Sequence, residues 1–511
     1  MRPLLSCAEA SALDLGVQRR AQLPPAILME DASVRLWDAL EPIAAALGAG
    51  AAGTLTALCG SGNNAGDALA LLRHARFAGL EDLAVILGKP APGELAVTQL
   101  SYLRALGIPV LSWEAEPDSC RALLGRSLLL VDGIAGTGLH GPLREPLASL
   151  LWAAIDSGRP VAAVDIPSGL SDDFSAGLSL LPARWTLAIE PRKAGLYFPA
   201  VRPACGEIVG VGGVFPVGEP AKTGFELLEP DDLRRLVARP APSAYKGSRG
   251  RLAVFAGSVG ATGAAAMCSR ASLAAGAGLV ALFVSAEILP ILSSKLDAVM
   301  VKPAPSAPGA IEVERWDALL AGPGWGRSGD NKATLASLLS TGLPAVLDAD
   351  AIALYGALAS EGFVARGPLI LTPHPGELSL LGGMPAEEAL ANPAKLLPPL
   401  ASHLAATIVF KSHCTWIAAP DGRMSVWDGM ESGLGTAGSG DVLAGIAAGL
   451  LAGASAERAG AGERSYDAAR AAVITHGLSG RRARAKRGWF QAPDLIEEAA
   501  LILGAPGETA P

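Results

Sequence analysis

The feature of this sequence that most constrains its fold is a regular alternation between short apolar runs and segments of helical length. Strands that alternate with helices form a parallel sheet covered by helices on both faces. Ligands of such sheets bind beyond the carboxyl ends of the strands. We therefore expect an α/β fold whose binding residues lie in the loops after the strands. In the first half of the chain, the predicted strands are residues 54–58, 83–87, 128–131, 161–166 and 185–189.

The same alternation returns after a Pro-rich and charged stretch at residues 212–242. Because 511 residues are too many for one ordinary core, the sequence predicts two α/β domains, residues 1–220 and 221–511. A helical segment is expected over residues 1–50, before the first strand. In the second half, strands are predicted at residues 251–256, 279–284, 345–347, 369–371 and 408–410.

Charge and composition exclude several classes of function. The formal net charge of −8 provides no basic surface for nucleic acid. The longest uncharged apolar run, residues 442–456, is shorter than the roughly 20 residues that span a bilayer, so it is interpreted as a buried helix. Glu9 and Asp14 interrupt the apolar core that a signal peptide needs. We therefore expect a cytoplasmic protein with neither nucleic-acid nor membrane partners, and we also expect a homo-oligomer.

The six cysteines are scattered along the chain, without a CxxC pair or a local partner. This spacing is typical of reduced thiols and not of a disulfide framework or a metal site. We expect most of these thiols to be buried.

Three loops in the first half carry groups suited to binding and catalysis. They are residues 59–67 (CGSGNNAGD), 131–141 (VDGIAGTGLHG) and 164–169 (VDIPSG). Each is a weak indication by itself, since Gly-rich loops between a strand and a helix are common. Together they place amide, carboxylate and hydroxyl oxygens on one rim of the sheet. Such oxygens could hold K⁺ as readily as Mg²⁺ or Ca²⁺.

A Gly-rich turn, GTAGSGDVLAG at residues 435–445, opens the long apolar run of the second half. The first backbone N–H groups of a helix are unpaired and lie at the positive end of its dipole, so such a turn attracts phosphate. Asp441 lies where the turn becomes a helix. Its carboxylate could take a proton from a hydroxyl that is about to meet a phosphoryl group, or it could simply cap the helix.

Other strand-end loops of the second half suit a flat ring and a nucleotide. Residues 257–266 (GSVGATGAAA) and 322–326 (GPGWG) are small enough for a ring to lie against the backbone. Asp348 and Asp350 could hold a magnesium shell or cap the next helix. His374, held between two prolines in TPHPGE, is either structural or a site residue. The ammonium group of Lys411 could pair with a phosphate or only solvate the rim.

The order NNAGD, DGIAGTGLHG and VDIPSG resembles the NAD(P)HX epimerase half of the bifunctional NAD(P)H-hydrate repair enzymes, over about residues 10–215. The resemblance implies a Rossmann-like three-layer domain in which Asp165 transfers a proton at the hydrated carbon. It also implies a K⁺ site formed by Asn64, Asp132 and Ser168. The residues that would bind the substrate are Asn63, Asn64, Ala65, Gly66, Asp67, Gly136, Thr137, Gly138, Leu139, His140, Gly141, Pro142 and Asp165.

The first half also departs from the family pattern. The family usually has NNGGDG, whereas Ala65 and Ala68 replace two of these glycines here, and the usual Met-Glu-Asn appears as Met29, Glu30 and Asp31. A methyl group at residue 65 is harmless if φ is ordinary and strained if φ is positive. The domain is therefore either an active epimerase or one that keeps the fold and has weakened or lost this step.

The ordered set GSVGATGAA, GPGWG, DADA, TPHPGE, KSHCT and GTAGSGDVLAG resembles the ADP-dependent NAD(P)HX dehydratase half of the same family, over about residues 240–490. This resemblance implies a ribokinase-like domain in which Asp441 is the catalytic base. Ala264, Gly324, His374 and Asp441 would contact the hydrated nicotinamide nucleotide. The adenine nucleotide, ADP or ATP, would be held by Lys411, Ser412, His413, Cys414, Thr415 and Gly440.

The implied chemistry is phosphorylation of the ring hydroxyl followed by loss of phosphate, because hydroxide is a poor leaving group. The helix N-terminus and Mg²⁺ would stabilise the phosphoryl group in transfer. Ser412 and Ala353 stand where the family commonly has Gly and Asn, both on the nucleotide side. The alternatives are a ribokinase-type small-molecule kinase with an inactive N-terminal binding domain, and a nucleotide-binding scaffold without turnover.

Overall fold

The computed structural model describes residues 1–50, 53–89, 93–216, 223–237, 240–304, 312–453 and 461–504. The chain forms two compact units. The first comprises Pro3–Gly224 with Leu390–Asn392, and the second comprises Met1–Arg2, Phe225–Ala389 and Pro393–Pro511. The predicted boundary between residues 220 and 221 falls within residues 217–222, which lie outside the described residues.

Up to residue 224 the chain alternates strands with helices. The strands are β1 (Arg2–Leu4), β2 (Thr54–Cys59), β3 (Leu83–Leu87), β4 (Val110–Ser112), β5 (Ser127–Gly133), β6 (Val161–Val164), β7 (Trp185–Ile189) and β8 (Glu207–Val211). The helices are α1 (Cys7–Ala21), α2 (Pro25–Ala46), α3 (Asn63–Phe77), α4 (Glu94–Ala105), α5 (Pro117–Arg126) and α6 (Leu147–Asp156), with 3₁₀ turns at Ala194–Tyr197 and Arg202–Cys205.

The sheet of the first unit is parallel and has the strand order β4-β3-β2-β5-β6-β7-β8. One apolar core lies between this sheet and helices α2, α3 and α4. A second core lies on the opposite face, against α5 and α6. The unit is therefore a Rossmann-like three-layer domain, as predicted. The chain reverses its direction of travel across the sheet between β2 and β5, and ligands of doubly wound sheets bind at this switch point.

From Phe225 onward the strands are β9 (Phe225–Leu227), β10 (Arg251–Phe255), β11 (Leu279–Val284), β12 (Met300–Pro303), β13 (Ala318–Ala321), β14 (Ala345–Leu347), β15 (Leu369–Leu371), β16 (Ala406–Phe410), β17 (Cys414–Ala418) and β18 (Met424–Asp428). The helices are α7 (Leu233–Leu236), α8 (Thr262–Ala274), α9 (Leu289–Lys295), α10 (Gly329–Leu339), α11 (Asp350–Ser360), α12 (Pro375–Gly382), α13 (Ala386–Ala391), α14 (Pro393–His403), α15 (Ser439–Gly453), α16 (Ala461–Arg487) and α17 (Ala492–Gly504). Short 3₁₀ turns occur at Pro230–Asp232, Val313–Arg315 and Ser432–Leu434.

The sheet of the second unit contains the order β9-β18-β17-β16-β15-β14-β13-β10-β11-β12. Strands β10 to β16 pair in parallel, whereas β17 runs antiparallel to both β16 and β18. The chain switches sides between β10 and β13. The loops after these two strands therefore flank the point at which a ligand is expected.

The alternating pattern predicted most of the parallel strands. Strands β3, β7, β11, β14 and β15 have the predicted bounds, and the other predicted strands differ by a few residues at their ends. The expectation of helix alone over residues 1–50 is wrong at its start, where β1 precedes α1 and α2. The buried helix predicted at 442–456 begins three residues earlier, at Ser439, and residues 454–456 lie outside the described residues.

Two further properties follow from the helices and the thiols. In the parts of the chain that the structure describes, every helix is too short or too polar to cross a membrane. All six cysteines are buried, and none forms a disulfide. The prediction of buried thiols is therefore confirmed.

Candidate active sites

The first candidate site is a cavity of about 510 Å³ at the switch point of the first sheet. The loops after β2, β5 and β6 form its rim, and α1 and α2 contribute further lining residues. Of the substrate-binding residues predicted from the sequence, eight line this cavity: Asn63, Asn64, Asp67, Gly136, Thr137, Gly138, Leu139 and Asp165. Ala65 and Gly66 lie buried inside α3, while His140, Gly141 and Pro142 follow the lining loop without reaching the cavity.

The alanine at residue 65 is compatible with the local backbone. Helix α3 begins at Asn63, so Ala65 lies in its first turn, and its φ is not positive. Its methyl group is buried in the apolar core with that of Ala68. At the neighbouring Gly66, an added Cβ would meet the flexible end of the Met29 side chain, which would have to move. The strained alternative for Ala65 is therefore wrong.

The rim also holds a buried ion pair that the sequence analysis did not find. Nζ of Lys193 lies 2.6 Å from Oδ1 of Asp165, and both residues line the cavity. Asp165 has a positive φ of 67°, which is uncommon outside glycine and is a form of strain that clusters at functional sites. Lys193 follows β7 in the sequence EPRKAG. Lys193 could have been found from its position just after the strand predicted at residues 185–189. The loop there has no Gly-rich motif, however, and so it was not singled out.

Two more carboxylates face the same cavity, Asp14 from α1 and Asp67 from α3. Burial raises the pKa of Asp67 to about 8, and the charges of Asp165 and Asp14 add to this effect while Lys193 opposes it. Asp67 therefore retains its proton at neutral pH and can donate a hydrogen bond to a ligand. Asp14 was named in the sequence analysis only because it interrupts an apolar segment.

Of the three residues predicted to hold K⁺, Asn64 and Ser168 bond to the backbone of Ala135, and Asp132 bonds to Ser168. Ser168 Oγ accepts a hydrogen bond from the Ala135 amide at 2.8 Å and lies 2.5 Å from Asp132 Oδ1. Asn64 Nδ2 donates to the Ala135 carbonyl at 3.2 Å. Burial raises the pKa of Asp132 to about 6, although hydrogen bonds from Ser168 and Ile134 oppose the shift. Neutral oxygens with one buried carboxylate fit a large monovalent cation.

The second candidate site lies at the strand ends of the second unit, where Lys411 follows β16. Its Nζ lies 2.7 Å from Asp348 Oδ1 and 3.9 Å from Glu377 Oε2. Thr372 donates to the same Asp348 oxygen at 2.7 Å. Burial by itself would lower the pKa of Lys411, but the carboxylates of Asp348, Glu377 and Asp441 outweigh it and hold that pKa above its usual value. Lys411 is therefore a fixed positive charge among three carboxylates.

Asp348 and Asp350 have different partners, and neither caps a helix. Helix α11 begins at Asp350, and its N-cap residue Ala349 makes no side-chain cap. Asp348 is held by Lys411 and by Thr372. Asp350 accepts hydrogen bonds from the Gly326 amide and from Arg327 Nε, both at 2.8 Å. Asp350 therefore fixes the GPGWG loop.

The GPGWG loop lies against the start of α8. A Cβ at Gly324 would come within 3.2 Å of the Ala264 methyl group, so these two predicted residues are neighbours. Gly324 has a φ of +58°, a conformation that favours glycine. Ser258 Oγ donates to the Gly324 carbonyl at 2.8 Å. The two small-residue loops thus form one wall at the switch point.

His374 has a structural role and a side chain open to solvent. It is the N-cap of α12, where its Nδ1 accepts hydrogen bonds from the amides of Gly376 and Glu377. The Glu377 carboxylate accepts one in return from the His374 amide, at 2.9 Å. The side chain is 56% exposed, so the ring can still contact a ligand. His374 can therefore be both a structural residue and a residue that contacts a ligand.

Asp441 lies in the first turn of α15, which begins at Ser439. Among the described residues its carboxylate accepts no hydrogen bond, so the helix-cap interpretation is wrong. Burial raises the pKa of Asp441 to about 6, and the charge of Asp348 contributes while Lys411 opposes. A Cβ at Gly440 would lie 3.4 Å from Lys411 Nζ, which places Lys411 beside this turn. The half-buried carboxylate of Asp441, the ammonium group of Lys411 and the N-terminus of α15 therefore lie together.

Helix α16 contributes His476, which the sequence analysis missed, to the same turn. His476 Nε2 lies 2.9 Å from Ser439 Oγ and 3.1 Å from the Ser439 carbonyl. Burial lowers the pKa of His476 to about 4, so the ring is neutral. Because His476 is 37 residues away along the chain, no local motif indicated this contact.

The remaining predicted nucleotide-binding residues lie between β16 and β17. Ser412 and Thr415 are partly buried and His413 is exposed, and Thr415 Oγ1 donates to the Ser412 carbonyl at 2.9 Å. The side chain of Cys414 is buried. Within the described residues, no group of three His, Cys, Asp or Glu side chains is arranged to hold a metal ion. Mg²⁺ is commonly bound by one or two carboxylates with phosphates and water, so the carboxylates around Lys411 still fit it.

The folds and the two sites define a two-domain α/β enzyme that binds nucleotides. The family model described as NAD(P)H-hydrate dehydratase matches residues 252–501, and the model described as YjeF-related protein N-terminus matches residues 25–195. The bifunctional NAD(P)H-hydrate repair enzyme of Moorella thermoacetica is 33% identical over 98% of this chain and 96% of its own length. That of Escherichia coli is 30% identical, over 83% and 79%.

The chain belongs to the family of bifunctional NAD(P)H-hydrate repair enzymes. The resemblance found in the sequence motifs is therefore confirmed, and so is the α/β class of both units. Among solved structures, the ADP/ATP-dependent NAD(P)H-hydrate dehydratase of Bacillus subtilis, co-crystallised with ATP and Mg²⁺, is 23% identical. It covers 55% of this chain and 99% of its own, with a TM-score of 0.48.

Proposed function

We propose that this chain repairs hydrated NADH and NADPH in two steps. The first unit interconverts the R and S epimers of the hydrate, and the second dehydrates the S epimer with the help of an adenine nucleotide. One observation carries the proposal. The carboxylate of Asp441, which accepts no hydrogen bond in the described residues, stands in the first turn of α15 beside Lys411. Family membership over nearly the whole chain supports both steps.

In the second unit, Asp441 takes the proton from the ring hydroxyl as that oxygen attacks the terminal phosphoryl group of the nucleotide. A base with a pKa of about 6 is ionised at neutral pH and still accepts the proton readily. The amides of the first turn of α15 and the ammonium group of Lys411 stabilise the negative charge of the phosphoryl group. The nucleotide, shortened by one phosphate, is released. The electron pair of the ring nitrogen then expels phosphate from the carbon that carried the hydroxyl, and loss of a proton from the neighbouring ring carbon restores the ring double bond.

The wall formed by Gly324 and Ala264 gives the nicotinamide ring a flat surface, and the exposed ring of His374 contacts the same nucleotide. Residues 411–415 and Gly440 hold the adenine nucleotide. Mg²⁺, when bound near the carboxylates around Lys411, supplies charge neutralisation for the phosphates. Ser412, which replaces a common glycine, adds a side chain on the donor side.

In the first unit, the lining loops bind the hydrated nucleotide and Asp165 moves a proton at the hydrated carbon. Asn64, Asp132 and Ser168 would hold K⁺ next to Gly136, whose loop lines the cavity. That ion, when bound, fixes the loop and offsets the buried charge of Asp132. Because the second unit dehydrates only the S epimer, the first unit supplies it with that epimer by converting the R epimer.

The substitution Asp441→Ala tests the proposed dehydration. We expect nucleotide-dependent recovery of NADH from its S hydrate to fall by roughly 10²–10⁴-fold, the usual contribution of a general base. Binding of ADP or ATP, measured by calorimetry, should remain within a few-fold of the unaltered chain. Asp297→Ala, which removes an exposed carboxylate of the same unit, is the matched control. Full activity of the Asp441→Ala chain would refute the role.

A further inference from the structure

The ion pair between Lys193 and Asp165 is buried and lies at the wall of the cavity in the first unit. Lys193 is 4% exposed and Asp165 is 8% exposed, and both line the cavity. Removing two charges from water is costly, and such pairs stabilise a fold little compared with apolar residues of similar size. The pair is therefore more readily explained by chemistry than by stability.

Among the residues that the structure describes, each partner keeps one hydrogen-bonding position free. Asp165 Oδ1 accepts from Lys193 at 2.6 Å and from the Ile189 amide at 3.1 Å, while Oδ2 has no partner among the described residues. Lys193 Nζ carries three N–H groups and uses two of them, on Asp165 and on the Ile189 carbonyl at 3.1 Å. A proton acceptor and a proton donor are thus fixed side by side at the cavity.

The chemistry of a hydrated dihydronicotinamide requires two such groups. When water adds to the ring's enamine double bond, the proton goes to the carbon distant from nitrogen, so the hydroxyl is on a carbon bonded to the ring nitrogen. The configuration at this carbon is lost if the carbon–nitrogen bond opens to an aldehyde. Opening removes a proton from the hydroxyl oxygen and adds one to the nitrogen, two atoms that share one carbon and therefore lie side by side.

We propose that Lys193 is the second catalytic residue of the epimerase, acting as the acid that protonates the ring nitrogen while Asp165 accepts the hydroxyl proton. This inference rests on the proposed epimerase function of the first unit. In the opening step the carbon–nitrogen bond breaks, its electron pair stays on nitrogen, and the oxygen becomes the aldehyde carbonyl. After the aldehyde rotates, nitrogen attacks the other face, Lys193 recovers its proton, and Asp165 returns its proton to oxygen. No other reactant is consumed.

Substitutions at Lys193 in the full-length chain test this role. Lys193→Met should lower kcat for interconversion of the two epimers by roughly 10²–10⁴-fold with little change in KM. Lys193→Arg should show a similar loss, because guanidinium keeps the positive charge but does not release its proton. Added ethylamine should restore part of the turnover of Lys193→Ala. Lys89→Met, a half-buried lysine of the same unit outside the cavity lining, should behave as the unaltered chain.

Dehydration of pure S hydrate by the same chains shows that the second unit is folded, and the KM for interconversion shows that the cavity still binds substrate. A Lys193→Arg chain as fast as the unaltered chain would overturn the acid role, as would a Lys193→Ala chain that ethylamine does not rescue. An unaltered chain that does not interconvert the epimers would instead overturn the proposed function, and this inference with it.

Isotope labelling tests the route. Ring opening keeps the original oxygen on the same carbon, so epimerisation in ¹⁸O-labelled water should give product without label at early times. Loss and return of water would introduce one labelled oxygen for each inversion. That result would overturn the ring-opening step and, with it, the role of Lys193 as the acid toward nitrogen.

Discussion

Single residues in both sites owe their chemistry to burial and to nearby charges. Burial and the charge of Asp348 raise the pKa of Asp441 to about 6, while Lys411 limits the shift. Burial likewise raises the pKa of Asp67, to about 8, and lowers that of His476 to about 4. A protonated Asp67 and a neutral His476 act as hydrogen-bonding groups at neutral pH, whereas Asp441 is the residue that we propose as the base.

The raised pKa of Asp441 makes dehydration pH-dependent. The base must be ionised, so kcat/KM for S hydrate should rise as the pH passes upward through about 6 and level off above it. Asp348→Asn removes a like charge and frees Lys411 to face Asp441, so the midpoint should move to lower pH. The pH profiles of both chains measure this shift. A midpoint that moves upward would contradict the assignment.

At the scale of elements, helix α15 is held by contacts between its own backbone and that of α8. A Cβ at Gly445 would overlap the carbonyl oxygen of Cys268, and one at Gly449 would overlap that of Ser272. Ser272 Oγ also lies 3.0 Å from the Gly445 carbonyl. This close approach fixes the position of α15 and therefore of Asp441 in its first turn.

Substitution of Gly445 tests that contact. Gly445→Ala should destabilise the second unit by about 1–3 kcal/mol, because overpacking a filled interface shifts both helices. The urea concentration at which dehydratase activity is lost reports the change. Gly462→Ala, at a helix position where no atom of the described residues lies within 4 Å of the added methyl group, should not be destabilising. Equal stability of the Gly445→Ala and unaltered chains would show that α15 is not packed in this way.

A substitution in helix α3 tests whether the departure from the family pattern at residue 65 affects stability or activity. Because Ala65 is helical and buried, Ala65→Gly should destabilise the first unit by about 0.5–1 kcal/mol and should not speed epimerisation. The urea concentration at which epimerase activity is lost measures the change in stability, and the initial rate of epimerisation measures the change in activity. A faster or more stable Ala65→Gly chain would mean that this position requires glycine after all.

For the whole molecule, alternating apolar runs were sufficient to predict two α/β units and the edge of each sheet that carries the site. Local turn motifs placed Asp165 and Asp441 correctly at strand and helix ends. Lys193 and His476 were missed because their partners are set by the fold, 28 and 37 residues away along the chain. Short or half-exposed strands such as β4 and β12 were missed because their apolar pattern is weak.

The two units together explain why both reactions occur in one chain. A dehydratase that accepts only the S epimer leaves the R epimer unused, and the neighbouring epimerase removes that limit. The most direct measurement supplies a mixture of both epimers with ADP or ATP and follows the return of reduced-nicotinamide absorbance. The unaltered chain should convert the whole mixture. The Asp165→Asn chain should convert only the S fraction at the enzymatic rate, and the Asp441→Ala chain should convert neither epimer. Complete conversion by either variant at the rate of the unaltered chain would contradict this account.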